Sequence, residues 1–175
     1  LQDINLDEPR EIIAALPQET ITTLSLVDTM SSSQILDKLS SHYLEAKHCQ
    51  HLHPTIIYHH PLAMSPLAKS IPSTPRITQR FELFIKGKEY INAYEEENCP
   101  QTQLTNFLLQ QTQSHTTIDP ELLPVDHKYV DAMKSGMPPT GGLGLGVDRL
   151  CMLLMEKSRI EQVLPFGSID DVNRQ

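Results

Sequence analysis

Two glutamates, Glu82 and Glu89, stand in the stretch Arg80 to Glu96 together with Asn92, Tyr94 and Glu96. Phe81, Leu83 and Ile85 alternate with Glu82 and Phe84, the period-two pattern of a strand. Lys86-Gly87 suits a two-residue hairpin loop, though it is less diagnostic than Asn-Gly. That turn sets Ile85 against Lys88, Phe84 against Glu89 and Glu82 against Ile91. Glu82 and Glu89 then share a face as diagonal neighbours, about 7–8 Å apart at the backbone. Two carboxylates so placed repel one another unless a cation lies between them. An oxygen-only pair with room for water and phosphate suits Mg²⁺ better than zinc. A solvent-facing polar strand edge is the alternative that these residues leave open. Asn92, Tyr94 and Glu96 alternate with a parity opposite to that of Glu89. For all five to line one site, the strand must carry a bulge or sharp twist near Tyr90–Ile91.

A second stretch, Gly141 to Arg149, alternates Gly142, Gly144 and Gly146 with Leu143, Leu145 and Val147, a strand with one face stripped of side chains. Val147, Leu150, Cys151 and Leu154 then follow helical spacing. The reading is a strand whose bare face lets a ligand approach the backbone, running into a helix with Arg149 in its first turn. The guanidinium is permanently charged and planar, suited to phosphate or to a flat ring. Taken alone, this glycine run also suits a tightly packed strand–helix turn.

These groups need a scaffold, and the rest of the chain supplies one. A short helix is expected within residues 1–20, with Asp7 as its cap, Pro9 in its first turn and Pro17 as its stop. Another follows Ser31-Ser-Ser, carries Ile35, Leu36, Leu39, Tyr43 and Ala46 on one stripe, and ends near Cys49. Thr55–Tyr58 reads as a strand ended by His59-His60-Pro61, and Met64 to Arg76 as a Pro- and Ser-rich connection. Asn98, with Gln101 as capping-box partner and Pro100 in the first turn, opens a helix with Leu104, Phe107 and Leu108 inside. Ser114–Thr117 is a polar break. Asp126–Ser135 is a helix with Tyr129, Val130 and Met133 inside and Gly136 as its stop. Ser158-Arg-Ile-Glu161 is a capping-box pattern.

Composition narrows the function. The 175 residues, 39% hydrophobic and 21% charged, suit one globular domain. A formal net charge of −8 argues against unaided nucleic-acid binding. Three scattered cysteines argue for free thiols rather than a disulfide scaffold. His42, His48, His51 and His53 follow no metal-ligand spacing and read as surface residues. No apolar run approaches the roughly 18 residues of a membrane span. A dinucleotide-binding unit is unexpected, because the glycines come late and no βαβ unit with an acidic residue follows.

Met64-Ser-Pro-Leu-Ala-Lys69, Arg80-Phe-Glu-Leu-Phe84, Asn92-Ala-Tyr-Glu-Glu-Glu-Asn98, Gly136-Met-Pro-Pro-Thr140 and Gly141 to Arg149 occur in this order. The series, over about residues 55–165, resembles class II lysyl-tRNA synthetases, and the glycine stretch is similar to class II motif 3. The resemblance implies an α+β fold, part of the class II antiparallel β-sheet flanked by helices. Residues 1–54 would be a helical segment leading into the catalytic core, and residues 55–175 the C-terminal half of the catalytic domain. It further implies that Glu82 and Glu89 hold Mg²⁺ with the ATP phosphates and that Asn92 lies near the lysine carboxylate and ATP. Tyr94 would lie along the lysine side chain, and Glu96 would receive its ε-ammonium. Gly142, Gly144 and Gly146 would lie beside the nucleotide, with Arg149 on the γ-phosphate as the catalytic arginine.

The expected parent is a lysine–tRNA ligase that forms lysyl-adenylate and loads tRNA(Lys), a homodimer with no membrane segment. Its expected location is intracellular, the mitochondrial matrix favoured over the cytoplasm. The chain starts at Leu1, and motif 1, motif 2 and an anticodon-binding OB-fold are not found in it. It is therefore expected to be a fragment that carries half a site and does not activate lysine alone. Cys99 stands where the family usually has Asp, and Leu164-Pro-Phe replaces its Phe-Pro segment. The other readings are a non-catalytic tRNA-carrier or partner-binding module of the same ancestry, and a paralogue that attaches lysine to a protein.

Overall fold

The computed structural model describes residues 4–114 and 125–165. Residues 115–117 of the expected polar break and Phe166 of the C-terminal segment lie outside the described residues. The N-terminal part is helical: α1 (Pro9–Ala14), α2 (Gln18–Thr23), α3 (Ser32–Ser40), a π-helical stretch Ser41–Glu45 and α4 (Ala46–His48). Ile12, Leu26 and Ile35 form its buried core, packed against Leu16, Ile21, Leu36 and Leu39. Ser31 caps α3 in a capping box: the Gln34 N–H donates to Ser31 Oγ at 3.2 Å, and the Ser31 N–H donates to Gln34 Oε1 at 2.9 Å. Two local expectations fail here. The cap of α1 is Glu8, not Asp7, and it makes no side-chain bond. The helix stops at Ala14, and Pro17 is the N-cap of a second helix, α2, in a stretch expected to hold only one.

The sheet follows. β1 (Thr55–Tyr58), β4 (Arg80–Ile85), β5 (Lys88–Glu95) and β6 (Gly141–Leu145) form an antiparallel sheet in the order β1-β4-β5-β6. The connection expected between Met64 and Arg76 contains a small hairpin of its own, β2 (Ser70–Ile71) with β3 (Thr74–Thr78). Three helices complete the order: α5 (Pro100–Ser114), α6 (His127–Met133) and α7 (Val147–Leu154). An antiparallel sheet with helices around it is the expected α+β class.

Register divides the sheet into two chemically different faces. One carries Ile56, Tyr58, Phe81, Leu83, Ile91, Ala93, Leu143 and Leu145, with Lys88 and Glu95 only at the ends of β5. Its centre, Ala93, is buried, while Tyr58 and Leu143 toward its margins stay exposed. The other face carries Arg80, Glu82, Glu89, Asn92, Tyr94, Gly142 and Gly144.

Helix caps and inner faces depart from the sequence pattern in four places. α5 begins at Pro100, which puts Cys99 rather than Asn98 at the cap position, and the Asn98 amide donates instead to the Met137 carbonyl at 3.3 Å. Leu108 is exposed, and among the described side chains of α5 the buried ones are Gln103 and Asn106, whose amides donate to the Pro66 carbonyl at 3.3 and 3.1 Å. On α7 the stripe ends Val147 and Leu154 are exposed and Met152 is buried instead. The final capping bond runs from the Arg159 N–H to Gln162 Oε1 at 3.2 Å, one residue along from the Ser158–Glu161 pattern. The expected helix from Asp126 is present as α6, and Asp126 is its cap, the carboxylate accepting from the Tyr129 N–H at 2.9 Å.

Candidate active site

The β4–β5 turn is the one expected. Lys86 (φ 52°) and Gly87 (φ 71°) both take positive φ, the signature of a type I′ hairpin. Ile85 pairs with Lys88 and Phe84 with Glu89, but Leu83 pairs with Ile91, which leaves Tyr90 as the extra residue of a bulge. The bulge lies where residue parity required it. It also corrects one pairing: Glu82 faces Asn92 rather than Ile91, because the extra residue shifts everything beyond it by one. Glu82, Glu89, Asn92 and Tyr94 consequently share a face. The bulge also accepts from the glycine stretch: the Tyr90 carbonyl receives the Gly146 N–H at 2.9 Å. Gly146 is the cap residue of α7, so this bond sets where the helix carrying Arg149 begins.

The two glutamates sit in different environments. Glu82 accepts from the Arg80 guanidinium at Oε1 and contacts His60 Nε2 at 3.2 Å through Oε2. Burial pushes its carboxyl up, but the His60 hydrogen bond and the Arg80 charge outweigh burial and hold it below the ordinary value. Glu89 has no such help. Burial and then the charge of Glu82 push its carboxyl up, and Arg149 and Arg80 offset this only in part. Two carboxylates that feel each other in this way are a pair short of one cation. Among the described residues no three His, Cys, Asp or Glu side chains converge as metal ligands. A cation here would therefore need phosphate and water to complete its oxygen shell, as Mg²⁺ accepts.

Asn92 is oriented from behind. Arg80 Nε donates to its Oδ1 at 3.1 Å, which fixes the amide with its Nδ2 end as the donor. Further along, Glu96 is clamped by backbone: its N–H donates to the Thr140 carbonyl at 2.9 Å, and it bridges to Ala68. Its carboxylate lies over Gly142, where an added Cβ would come within 1.9 Å of Oε1. Burial raises the Glu96 carboxyl; burial followed by the charge of Glu96 raises the Tyr94 and Tyr129 hydroxyls around it. A carboxylate resisted in its charged form, with aromatic rings beside it, is suited to receive an ammonium group.

The glycines of β6 carry no positive φ, so their value is space rather than backbone freedom. At Gly144 the nearest atom to an added Cβ is the Asn92 carbonyl at 3.7 Å, and at Gly146 it is Arg149 Cδ at 3.5 Å, both ordinary contacts. Arg149, in the first turn of α7, donates to the Glu89 carbonyl at 2.7 Å and lies 4.0 Å from its carboxylate. An open cleft of about 510 Å³ joins Glu82, Glu89 and Arg149, with Glu45, Lys88 and Met152 on its walls.

Sequence reading missed the support. Arg80 connects Glu82 and Asn92 to the Met64–Lys69 segment, donating to the Met64 carbonyl at 2.9 Å and to Ser65 Oγ at 2.8 Å. Its parity with Glu82 was visible; nothing in the sequence pattern distinguished the buried His60 from its exposed neighbours. The same segment fixes the end of β5: the Lys69 N–H donates to the Glu95 carbonyl at 2.8 Å and the Glu97 N–H to the Leu67 carbonyl at 3.0 Å.

Comparison with known proteins places this arrangement. The family described as tRNA synthetases class II (D, K and N) matches residues 5–170. The mitochondrial lysine–tRNA ligase of Saccharomyces cerevisiae is 54% identical over 98% of the chain and 31% of its own length. The lysine–tRNA ligase of Streptococcus thermophilus is 49% identical over 78% of the chain and 27% of its own length, and that of Streptococcus pneumoniae 42% over 96% and 32%. The chain thus spans about a third of the length of these relatives. The family match spans almost the whole chain, from the N-terminal helices through the bulged hairpin of Glu82, Glu89 and Asn92 to the glycine strand and Arg149: the chain belongs to the class II tRNA synthetases of the D, K and N group.

Proposed function

We propose that this chain forms one wall of the amino-acid-activating site of a lysine–tRNA ligase, residues 1–54 leading into a catalytic unit of residues 55–175. The observation that carries the lysine reading is the Glu96 carboxylate, held over Gly142 with Tyr94 beside it. An anion beside an aromatic ring matches an ε-ammonium and disfavours the acidic or neutral side chains of aspartate and asparagine. The names of the similar ligases support the same choice.

In this reading Tyr94 lies along the lysine methylenes, and the Asn92 amide, turned outward by Arg80, donates to the lysine carboxylate. The bare face of Gly144 and Gly146 leaves room for the nucleotide, while the space over Gly142 is taken by the Glu96 carboxylate, and Arg149 neutralises the γ-phosphate of ATP. Glu82 and Glu89 would hold Mg²⁺. When bound, that ion neutralises phosphate charge and orients the pyrophosphate leaving group. A lysine carboxylate oxygen attacks the α-phosphorus, the bond from that phosphorus to the bridging oxygen breaks, and lysyl-adenylate and pyrophosphate result. The 3′ end of tRNA(Lys) then displaces AMP. No side chain acts as nucleophile, so catalysis rests on positioning and charge. The whole protein is proposed to be a homodimer of the mitochondrial matrix, without a membrane span; no described helix is long and apolar enough to cross one.

The test is pyrophosphate exchange by the full-length protein with each amino acid in turn. Lysine alone should drive exchange, and Glu96→Gln should abolish that preference. Exchange driven by aspartate or asparagine would refute the assignment.

A further inference from the structure

His60 lies outside the five residues that face the substrates, yet it is only 5% exposed and touches one of them. Its Nε2 stands 3.2 Å from Glu82 Oε2 while the Arg80 guanidinium holds Oε1, so each carboxylate oxygen has its own donor. The residue is itself pinned. The Thr78 N–H and the Thr78 hydroxyl both donate to the His60 carbonyl at 2.9 Å, and Thr78 is fully buried. The other ring nitrogen, Nδ1, is buried without a hydrogen-bond partner. With the proton on Nε2 the orphan is an acceptor, which proteins tolerate better than an unpaired buried donor. The ring is therefore committed to donating to Glu82.

We propose that His60 is a positioning residue that fixes the Glu82 carboxylate in the orientation in which, together with Glu89, it binds the divalent cation. The inference rests on the reading of Glu82 and Glu89 as cation ligands. A carboxylate oxygen keeps a second acceptor direction after one hydrogen bond, so the clamp aims Glu82 without using up its capacity. Among the described residues Glu89 has no comparable clamp, its carboxylate standing 4.0 Å from Arg149. The site thus combines one rigid ligand with one adjustable ligand, and rigidity at Glu82 comes from two sides. Arg80 also serves Asn92, whereas the His60 side chain makes no other hydrogen bond among the described residues. His60 is accordingly the residue whose replacement isolates the clamp.

The experiment uses the full-length protein and follows free Mn²⁺ by electron paramagnetic resonance in the presence of a non-hydrolysable ATP analogue. His60→Gln keeps an amide donor at the reach of Nε2; His60→Asn keeps a polar amide that stops at the reach of Nδ1. Cation affinity should fall about 10-fold in His60→Asn, the loss typical when a group that orients a metal ligand is removed. It should stay near wild type in His60→Gln, with matching circular dichroism for both. A structural role alone predicts equal behaviour of the two variants. Equal weakening, or unchanged affinity in His60→Asn, would overturn the proposal. Glu82→Gln is the separate control. Wild-type affinity in that variant would overturn the cation-ligand reading, and the His60 proposal with it.

Discussion

Gly142→Ala isolates the feature on which the amino-acid assignment depends. An added Cβ would lie 1.9 Å from Glu96 Oε1, whereas ordinary contact begins at 3.4 Å. The carboxylate must therefore retreat by about 1.5 Å. Because the obstructed atom is the far end of a flexible side chain, the retreat costs the fold little. Its cost falls on the ligand. An ammonium–carboxylate pair opened from about 2.8 to about 4.3 Å loses roughly 2 kcal/mol at an effective dielectric constant of about 20. That corresponds to an approximately 30-fold rise in the KM for lysine. In pyrophosphate exchange by the full-length protein, the KM for ATP should change far less, and thermal unfolding should shift by no more than a degree or two. Gly144→Ala is the companion, since its Cβ meets nothing closer than 3.7 Å in the protein. Any functional loss there would report nucleotide rather than Glu96. A wild-type KM for lysine in Gly142→Ala would refute both the placement of Glu96 and its role as the ammonium partner.

Opposite effects on stability are expected from Glu82 and Glu89, the two proposed cation ligands, in cation-free protein. The Glu82 carboxyl is depressed, so its contribution is present above the ordinary carboxylate value and lost as pH falls through the folded-state value. Glu82→Gln should destabilise at pH 7 by about 1.5–3 kcal/mol, the range for hydrogen bonds to charged groups. The Glu89 carboxyl is raised, so it opposes folding as pH rises from the ordinary value through the folded-state value. Glu89→Gln should raise the thermal midpoint at pH 7, with the gain vanishing in acid below the ordinary value. Denaturation at several pH values checks both signs. Arg149→Ala should lower kcat about 100- to 1,000-fold, as losses of preorganised charge stabilisation do. The side chain is half exposed, so stability should barely move. Lys86→Asn in the type I′ turn should stabilise by a few tenths of a kcal/mol, because Asn accepts positive φ more readily. Cys99 precedes α5, and hydrogen bonds from Thr102 pull its thiol below the ordinary value. Cys99→Asp should therefore cap that helix and raise the urea midpoint of unfolding.

The legible parts of this protein were those set by local rules. Period two in β4, two residues in the turn and a reversal of parity between Glu89 and Asn92 set a condition: these residues share a face only if the strand carries a bulge or sharp twist near Tyr90–Ile91. The sequence stated that condition, and the fold meets it with a register shift at Tyr90. Strand-then-helix in the glycine stretch and Arg149 in the first turn followed from the change of period. Helix interiors were less legible. The buried face of α5 carries Gln103 and Asn106 because the carbonyl of Pro66, distant in sequence, needs donors there.

Only the tertiary structure decided what stands behind the site. His60 and Arg80 reach the same carboxylate from either side, and Met64 and Ser65 hold Arg80 from a segment that reads as a plain loop. Hydrogen bonds between residues distant in the chain leave no periodic trace, since each needs only one polar side chain at one position. The reason for Gly142 was hidden in the same way. A bare strand face says that room is needed, and only the fold shows that the Glu96 carboxylate fills that room.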